Sequence, residues 1–346
     1  MRYKLISIII ATYNSQRILP LSLESVKKQT YPQNRLEILI IDGGSTDQTI
    51  KIARKFGCKI ISNPKREPLF AKYLGFIKAR GDYILYLDSD EVMENPDSLM
   101  LKYLIFKKDK NIGVVIPSGY KVPPGYSSIN FYINEFGDPF SFFIYRLSKD
   151  ANHFTKELLA KYKKIYADKS CVIFNFGNIK LLPFLEFGAM GIMTNLCYLK
   201  KNVKEIKKHL FISSFMFYTL NSQTTNVAIA KNDLIYHYSS DTFGKYLKKI
   251  KSRVINNVFQ TAMGKAGFSG RDQFQPIWFR FKRYLFIPYS LTLLFPLVDA
   301  IYFSISRKRS IYLIHPFLCI YTCILIIYYY FLKLLNRRPQ ILSYGN

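Results

Sequence analysis

Short apolar runs alternate with amphipathic, helix-length segments over the N-terminal third of the chain. The runs that predict buried strands are Leu5–Ala11, Leu36–Asp42, Lys59–Ser62, Tyr83–Asp88 and Gly113–Pro117. Between the first two runs, Leu19, Leu23 and Val26 recur at the spacing of one helix face. Further helices are predicted to begin near Ser45 and to cover Leu69–Ile77. Because strands alternate with helices, the pattern predicts an open, doubly wound α/β sheet that is mostly parallel.

The C-terminal part of the chain carries two long apolar segments, residues 285–305 and 311–332, with the basic loop Ser306–Ser310 between them. Each segment is close to the roughly 20 residues that cross a bilayer as a helix. The pattern therefore predicts a membrane hairpin. More cations flank the pair than lie in the loop, which predicts that both ends are cytoplasmic. Because the first segment contains Pro288 and Asp299, a kinked, re-entrant or interfacial segment is the alternative for it.

The segment Phe243–Phe259 has the pattern of an amphipathic helix. Its apolar face carries Tyr246, Leu247, Ile250, Val254 and Val258, and lysines lie beside them. Such a helix suits a membrane interface, but it equally suits an ordinary surface helix packed on the α/β domain. Both interpretations stay open. The predicted organisation is an α/β domain over residues 1–240, amphipathic interfacial helices over 241–284, and the hairpin with a short cytoplasmic tail over 285–346.

Composition adds a strong positive charge to this picture. The formal net charge is +27, and 16% of the residues are aromatic. These values together would suit a nucleic-acid-binding surface, but no recognisable nucleic-acid motif is present, and many aromatic residues lie in the C-terminal apolar segments. Anionic membrane lipids are the better partner, at roughly 1 kcal/mol per basic residue near the surface. No nucleic-acid partner is expected.

The N-terminus predicts the side of the membrane. Met1-Arg-Tyr-Lys4 leads directly into an apolar run that is too short for a signal peptide. The protein is therefore expected to be integral to the cell membrane, with its α/β domain on the cytoplasmic face. The five cysteines form no metal-like cluster and are expected to be reduced.

Polar residues follow three of the predicted strands. They are Thr12-Tyr13-Asn14, Asp42 to Asp47, and Asp88-Ser89-Asp90. Ligands bind beyond the carboxyl ends of strands in open α/β sheets, so these residues are expected to meet in one crevice. Paired acids such as Asp88 and Asp90 suit a divalent cation that holds a phosphorylated ligand. The simpler interpretation is a set of capped turns, with Ser45 as a helix N-cap.

Four segments in a fixed order resemble the family 2 glycosyltransferases of the GT-A fold. The segments are Ser7-Ile-Ile-Ile-Ala-Thr-Tyr-Asn14, Ile40-Ile-Asp-Gly-Gly-Ser-Thr-Asp47, Ala71 to Gly81 with Gly75 and Ala79 between, and Leu87-Asp-Ser-Asp90. The resemblance implies a nucleotide-diphospho-sugar donor, an inverting transfer, and residues 1–240 as the catalytic domain.

The resemblance also implies roles for single residues. Thr12, Tyr13, Asn14 and Asp42 would line the base and ribose, with Gly43 allowing the chain to turn beside them. Asp88 would approach the ribose or the donor sugar, and Asp90 would bind Mg²⁺ or Mn²⁺ on the diphosphate; these two acids are the expected catalytic residues. Lys72-Tyr73 replaces the Arg-Asn that is common in the family, so Lys72 is either a phosphate contact with a point charge or an ordinary surface lysine.

The acidic pair that often supplies the general base in this family is not visible. Serines stand in the corresponding stretch, Phe211 to Phe215. Candidate substitutes are Glu186, Glu205 and Asp233, and Glu135 and Asp138 are candidates to face the acceptor. A phosphate acceptor is already ionised near pH 7 and needs no base. Some family members with membrane segments use polyprenyl phosphate in this way, so the resemblance implies polyprenyl phosphate as the leading acceptor. The alternative is a sugar hydroxyl of a lipid-linked glycan.

His237 ends another apolar run and is a candidate ligand of the metal or contact of the diphosphate. The alternative is a packed structural histidine, and His153 and His209 are expected to be surface residues. A non-catalytic, nucleotide-sugar-binding membrane scaffold is the rival interpretation from a different functional class.

Overall fold

The computed structural model describes residues 3–185, 187–198, 219–259 and 274–339. The strands are β1 Ile6–Thr12, β2 Leu36–Asp42, β3 Lys59–Ser62, β4 Tyr83–Asp88, β5 Glu91–Met93, β6 Ile112–Ile116, β7 Gly119–Lys121, β8 Lys164–Ala167, β9 Cys171–Asn175, β10 Ile192–Asn195, β11 Asn226–Ala230 and β12 Leu234–His237. The α-helices are α1 Leu19–Lys27, α2 Thr49–Lys55, α3 Pro68–Lys78, α4 Ser98–Lys108, α5 Ile129–Phe136, α6 Pro139–Tyr145, α7 Phe154–Lys161, α8 Phe243–Phe259, α9 Ile277–Phe281, α10 Phe286–Leu291, α11 Leu294–Ser306 and α12 His315–Leu334. Short 3₁₀ helices cover Gln33–Arg35, Lys282–Leu285 and Ser310–Ile314.

The main sheet has nine strands in the order β3-β2-β1-β4-β10-β6-β11-β9-β8. The first four strands are parallel, in a register that pairs Thr12 with Asp42 and Ala11 with Asp88. Beyond β4 the sheet is mixed, because β10 runs antiparallel to both of its neighbours and β9 runs antiparallel to β11 and β8. The prediction of an α/β sheet is confirmed, but the prediction that it is mostly parallel is wrong for the half built from later strands.

The strands β1 and β4 were readable because they are buried on both faces and mostly apolar. β2, β3 and β4 have the predicted bounds, and β1 and β6 differ by one residue at each end. The helix predicted near Ser45 begins at Thr49 instead, so Ser45 is not its N-cap. The Ser45 hydroxyl donates to Asp42 Oδ1 at 2.5 Å, which makes Ser45 part of the turn after β2.

A second sheet, β5-β12-β7, lies over the carboxyl end of β4. Its antiparallel register places His237 opposite Glu91, and the backbone N–H of Tyr238 donates to the carbonyl of Asp90 at 2.8 Å. These contacts bring residues 237 and 238, which are distant in sequence, next to the acids that follow β4.

The apolar face of α8 is buried inside the protein. Tyr246, Ile250 and Val254 form one cluster with residues of α5 and α12. The helices α8 and α12 run side by side: the rings of Phe243 and Phe317 are 6.2 Å apart, and farther along Lys333 Nζ donates to the Val258 carbonyl. The structure therefore shows the packed alternative for this amphipathic helix.

One helical stretch, Ser310–Leu334, is long and apolar enough to cross a membrane, among the residues that the structure describes. The preceding apolar segment is broken, because Ile277–Leu291 and Leu294–Ser306 meet at an angle of 87°. Leu293, at the break, has a φ of +57°. The segment over residues 285–305 is therefore bent rather than one continuous helix, as its kinked alternative expects.

Ion pairs attach the loop after α11 to the α/β domain. Arg307 contacts Glu135 at 3.2 Å and Glu157 at 2.7 Å. These ion pairs hold the loop after α11 against the α/β domain.

We expect Gly75→Ala to destabilise the α/β domain. A Cβ at this position would lie 2.3 Å from Ile9 Cγ2 on β1, so α3 must move away from the sheet. Overpacking of this kind costs about 1–3 kcal/mol of unfolding free energy, measurable by urea denaturation in detergent. Gly244→Ala is the matched control, since its Cβ meets nothing within 4 Å. Equal midpoints for the two variants would contradict close packing of α3 on β1.

Candidate functional site

A cleft of about 280 Å³ lies beyond the carboxyl ends of β1 and β4. The predicted site residues that line it are Thr12, Tyr13, Asn14, Gly43, Asp88, Asp90 and His237. It is the position at which open α/β sheets bind ligands. The far wall comes from the loop after β12 and from one face of α8. The structure therefore brings most of the predicted site residues together and adds a helix that was not assigned to the site.

Asp42 organises the loop beside the cleft. Its Oδ1 accepts from the Thr12 hydroxyl at 2.9 Å, and its Oδ2 accepts from the backbone N–H groups of Gly44 and Ser45 at 2.9 and 2.8 Å. Asp42 is buried and does not line the cleft. Its hydrogen bonds fix the backbone near Gly43 and Tyr13, which line the cleft. Contact of Asp42 with a base or ribose stays a prediction.

Asn14 joins the ends of β1 and β2. Its φ is +47°, a left-handed conformation that asparagine tolerates better than most residues. Its backbone N–H donates to Ser45 Oγ at 2.9 Å, and its side-chain Oδ1 accepts from the Thr46 N–H at 2.8 Å. The two strand ends are therefore held as one rigid rim of the cleft.

Lys72 is not an ordinary surface lysine. Its side chain is 11% exposed, and Nζ lies 3.0 Å from Asp88 Oδ1. The helix α3 thus delivers a positive charge to the first acid of the pair. A partly buried ammonium at this point can contact a phosphate as well as a carboxylate.

Asp90 lies next to a second lysine. Lys249 Nζ, from α8, is 3.7 Å from Asp90 Oδ2. Burial alone would raise the pKa of Asp90, but the charge of Lys249, with a smaller contribution from Lys72, outweighs burial and lowers that pKa. The carboxylate is therefore ionised at neutral pH.

The donor set at Asp90 fits a hard divalent cation in part. A carboxylate oxygen is the ligand that Mg²⁺ and Mn²⁺ prefer. Within the described ranges, no cluster of three or more His, Cys, Asp or Glu side chains is placed to hold a metal. An ion here would therefore take only one or two protein ligands and need oxygen atoms of a bound ligand for the rest.

His237 combines features of both interpretations. Its ring stacks on Tyr120 at 4.2 Å, and Nδ1 lies 3.2 Å from Asn134 Oδ1. Burial lowers the pKa of His237 to about 4, although Asp90 opposes this shift. The imidazole is neutral near pH 7 and lines the cleft, so it is both packed and available as a ligand.

Glu91 is a site residue that sequence reasoning missed. It is fully buried beneath the acid pair and accepts from the backbone N–H groups of Met190 and Asp88 and from the Tyr120 hydroxyl. Burial, with the charges of Asp88 and Asp90, raises the pKa of Glu91 to about 8. Its contacts fix the turn that presents Asp88 and Asp90. Its position directly after the Asp-x-Asp sequence was the available signal.

The basic face of α8 is the second missed element. Lys245, Lys249 and Arg253 recur every four residues and line the cleft. Lys245 lies 3.8 Å from Asp241, which also pairs with Arg17 at 2.5 Å. The i, i+4, i+8 spacing is visible in the sequence, but neither of the two interpretations of this helix, a membrane interface or a packed surface helix, predicted contact with this cleft.

The remaining acidic candidates do not meet at the cleft. Asp233 is buried and pairs with Lys102 at 2.6 Å, while Glu135 pairs with Arg307. Asp138 caps α6 through the Ser141 N–H and contacts Arg253. Glu186, Glu205, His209 and the Phe211–Phe215 stretch lie outside the described residues.

Curated relatives match short segments of the chain. An uncharacterized glycosyltransferase of Haemophilus influenzae is 40% identical over 105 residues, 28% of this chain and 40% of the relative. A Methanococcus voltae enzyme, dolichyl N-acetyl-alpha-D-glucosaminyl phosphate 3-beta-D-2,3-diacetamido-2,3-dideoxy-beta-D-glucuronosyltransferase, is 37% identical over 87 residues, 23% of this chain and 27% of the relative. The match thus spans less than half the length of either relative.

Among solved structures, a mannosyltransferase of Pyrobaculum calidifontis superposes with a TM-score of 0.51 at 10% identity, over 95% of this chain and 88% of that one. This similarity supports the GT-A-like fold alone. The profile of Glycosyl transferase family 2 matches residues 7–181, about half of the chain, including β1 to β4 and the acids that follow β4. The chain therefore belongs to glycosyl transferase family 2.

Proposed function

We propose that this protein is an inverting glycosyltransferase that moves a sugar from a nucleotide-diphospho-sugar to a membrane lipid acceptor, with polyprenyl phosphate as the leading candidate. The observation that carries the proposal is the pairing of Asp88 and Asp90 with the lysines Lys72 and Lys249 at the end of β4. A site with this charge pattern suits a sugar diphosphate, which needs positive charge around it.

The donor would lie along the rim formed by Thr12, Tyr13, Asn14 and Gly43, with its diphosphate near the lysines. As the sugar leaves, negative charge grows on the departing nucleotide. Preorganised cations at that point stabilise the transition state more than the ground state. Lys249 and Lys245, which come from α8, would supply part of this charge.

A divalent cation, Mg²⁺ or Mn²⁺, would be held by Asp90, with His237 as a second candidate ligand. When bound, it would offset the charge of the diphosphate. Asp88 would then be released from Lys72 to contact the ribose or the sugar.

The state of the acids favours an acceptor that needs no general base. Among the described residues that line the cleft, the acids are Asp88, Asp90 and Asp241, and each lies beside a cation. Carboxylates held by cations are weak bases. A phosphate oxygen of polyprenyl phosphate can attack the anomeric carbon directly, while the nucleoside diphosphate leaves with the electron pair of the broken bond.

Transfer to a sugar hydroxyl of a lipid-linked glycan is the second candidate. The Methanococcus voltae relative, which is named as a transferase acting on a dolichyl sugar phosphate, favours this candidate. The two products differ in chemistry, since a glycosyl phosphate is labile in mild acid and a glycoside is not. A non-catalytic scaffold would bind the donor without releasing its nucleotide.

Membrane attachment is supported by the exposed apolar side chains of the C-terminal helices. Leu294 is 61% exposed, Ile305 73% and Leu334 80%. Exposed apolar surface of this kind is typical of membrane contact. Because α12 lies along α8 and the loop after α11 contacts the α/β domain, we propose that these helices enter one leaflet from the cytoplasmic face. Basic residues such as Arg283 and Lys308 would then meet anionic headgroups.

The transfer is tested first by nucleotide release. Detergent-solubilised protein is given a panel of sugar nucleotides with Mg²⁺ or Mn²⁺, together with polyprenyl phosphate, with a lipid-linked glycan, or with neither lipid. We expect release to require the metal, to rise with the lipid, and to fall about 100-fold or more in Asp90→Ala. No release with any donor and either lipid acceptor, from protein shown to be folded, would contradict the proposed function and favour the scaffold.

The role of α8 is tested by nucleoside diphosphate binding. We expect Lys249→Ala to weaken binding about 10- to 100-fold, because a charge-assisted contact to phosphate is lost. Lys251→Ala on the same helix is the control, since Lys251 is exposed and does not line the cleft. Isothermal titration calorimetry measures both. Equal affinities of Lys249→Ala and Lys251→Ala for the nucleoside diphosphate would show that α8 does not contribute to the donor site.

Membrane topology is tested by cysteine labelling. In a Cys197→Ser background, we expect Lys308→Cys and Lys251→Cys to react with an impermeant maleimide in inverted vesicles but not in intact cells. Both positions are exposed, and Cys197 is an exposed native cysteine. Labelling of Lys308→Cys in intact cells would instead establish the two-span hairpin.

A further inference from the structure

A second cavity, of about 620 Å³, lies between α8, α10 and α12. Its walls are mainly apolar: Val254 and Val258 come from α8, Ile287 from α10, and Ile326 and Ile327 from α12. We call it the apolar groove. Its size lies within the range of pockets that enclose much of a small ligand.

The apolar groove meets the donor cleft at one side chain. Arg253 lines both cavities. Its Nη1 lies 3.2 Å from Asp138 Oδ2, which fixes the guanidinium at the junction, and the side chain is still 36% exposed. Lys249, one turn earlier on α8, contacts Asp90 in the cleft. Arg253 at the groove and Lys249 at the acid pair are therefore about one helical turn apart on α8, roughly 6 Å along its axis.

The charge inside the apolar groove is positive. Arg253 and Arg283 line it, and Asp138 is the acid among its described lining residues. An arginine beside an apolar wall suits a ligand that has a hydrocarbon part and an anionic end, because guanidinium binds phosphate with several hydrogen bonds.

The apolar groove also borders the surface proposed to enter the membrane. Ile327, Phe331 and Leu334 line it and are 47%, 57% and 80% exposed. A hydrocarbon chain in the leaflet can therefore enter the groove without crossing water. A soluble anion would gain nothing from these apolar walls.

We propose that the apolar groove binds the hydrocarbon chain of a single-chain lipid phosphate and that Arg253 binds its phosphate at the entrance to the donor cleft. This inference rests on the proposed function, in which such a lipid is the acceptor. The groove holds the segment of chain next to the phosphate, and the rest of the chain stays in the leaflet. Arg253 is then a binding residue that orients the phosphate oxygen towards the donor sugar.

The proposal is tested by binding, so that it can fail separately from the transfer reaction. Farnesyl phosphate is the probe, and its complex with detergent-solubilised, full-length protein is measured by native mass spectrometry. We expect Ile327→Trp, which narrows the groove, to weaken binding about tenfold or more. Ile324→Trp is the matched control, since Ile324 is exposed on the same helix but does not line the groove.

The role of Arg253 is tested with the same assay and with farnesol, which lacks the phosphate. We expect Arg253→Ala to weaken the binding of farnesyl phosphate about 10- to 100-fold and to change the binding of farnesol little. Arg253→Lys is expected to recover part of the affinity for farnesyl phosphate. Binding of a nucleoside diphosphate to Ile327→Trp verifies that the donor cleft is intact.

Two results would overturn the proposal. The first is equal affinity of Ile327→Trp and Ile324→Trp for farnesyl phosphate, which would place the chain elsewhere. The second is stronger competition by a two-chain phosphatidic acid than by farnesyl phosphate, which would make the apolar groove a site for bulk membrane lipid. If wild-type protein binds farnesyl phosphate as expected but releases no nucleotide, the lipid-binding role of the apolar groove is supported and the proposed transfer reaction is contradicted.

Discussion

The structure depends on charge balance at the end of β4. Two carboxylates separated by one residue repel each other, and a partly buried site weakens the screening by water. Lys72 from α3 and Lys249 from α8 offset this repulsion, because each lysine lies within 4 Å of one of the two acids. One of these lysines comes from the family-matched region and the other from a helix far beyond it. The acid pair thus joins two parts of the chain that the sequence separates by more than 150 residues.

This contact explains why the C-terminal helices cannot be treated as a detachable anchor. α8 reaches the acids with its basic face only if its apolar face is covered, and α5 and α12 cover it. Moving α12 into the bilayer as an isolated span would expose Tyr246, Ile250 and Val254. In the proposed arrangement the membrane-facing helices form one wall of the enzyme, so the donor cleft and the leaflet are held at a fixed separation. A lipid acceptor can then react without leaving the membrane.

The sequence predicted the parallel half of the sheet well, because β1, β2 and β4 are continuous apolar runs that end in polar residues. It also grouped Thr12, Asn14, Asp88 and Asp90 in one crevice. It failed for β8 to β10, since antiparallel strands inserted from later segments leave no local signal of their partners. Glu91 was missed because its burial and its three hydrogen-bond donors, not its residue type, define its role. The basic face of α8 was visible, but its partner was set by tertiary packing, which pattern alone does not contain.

We propose that α8 completes the donor site. A structure of the full-length protein, determined by cryo-electron microscopy in a lipid nanodisc with a non-hydrolysable nucleotide-diphospho-sugar and Mn²⁺, tests this role most directly. We expect the diphosphate to lie between Asp90 and Lys249 and α12 to lie within one leaflet. A diphosphate bound by the N-terminal strand ends with α8 withdrawn from the cleft would contradict it.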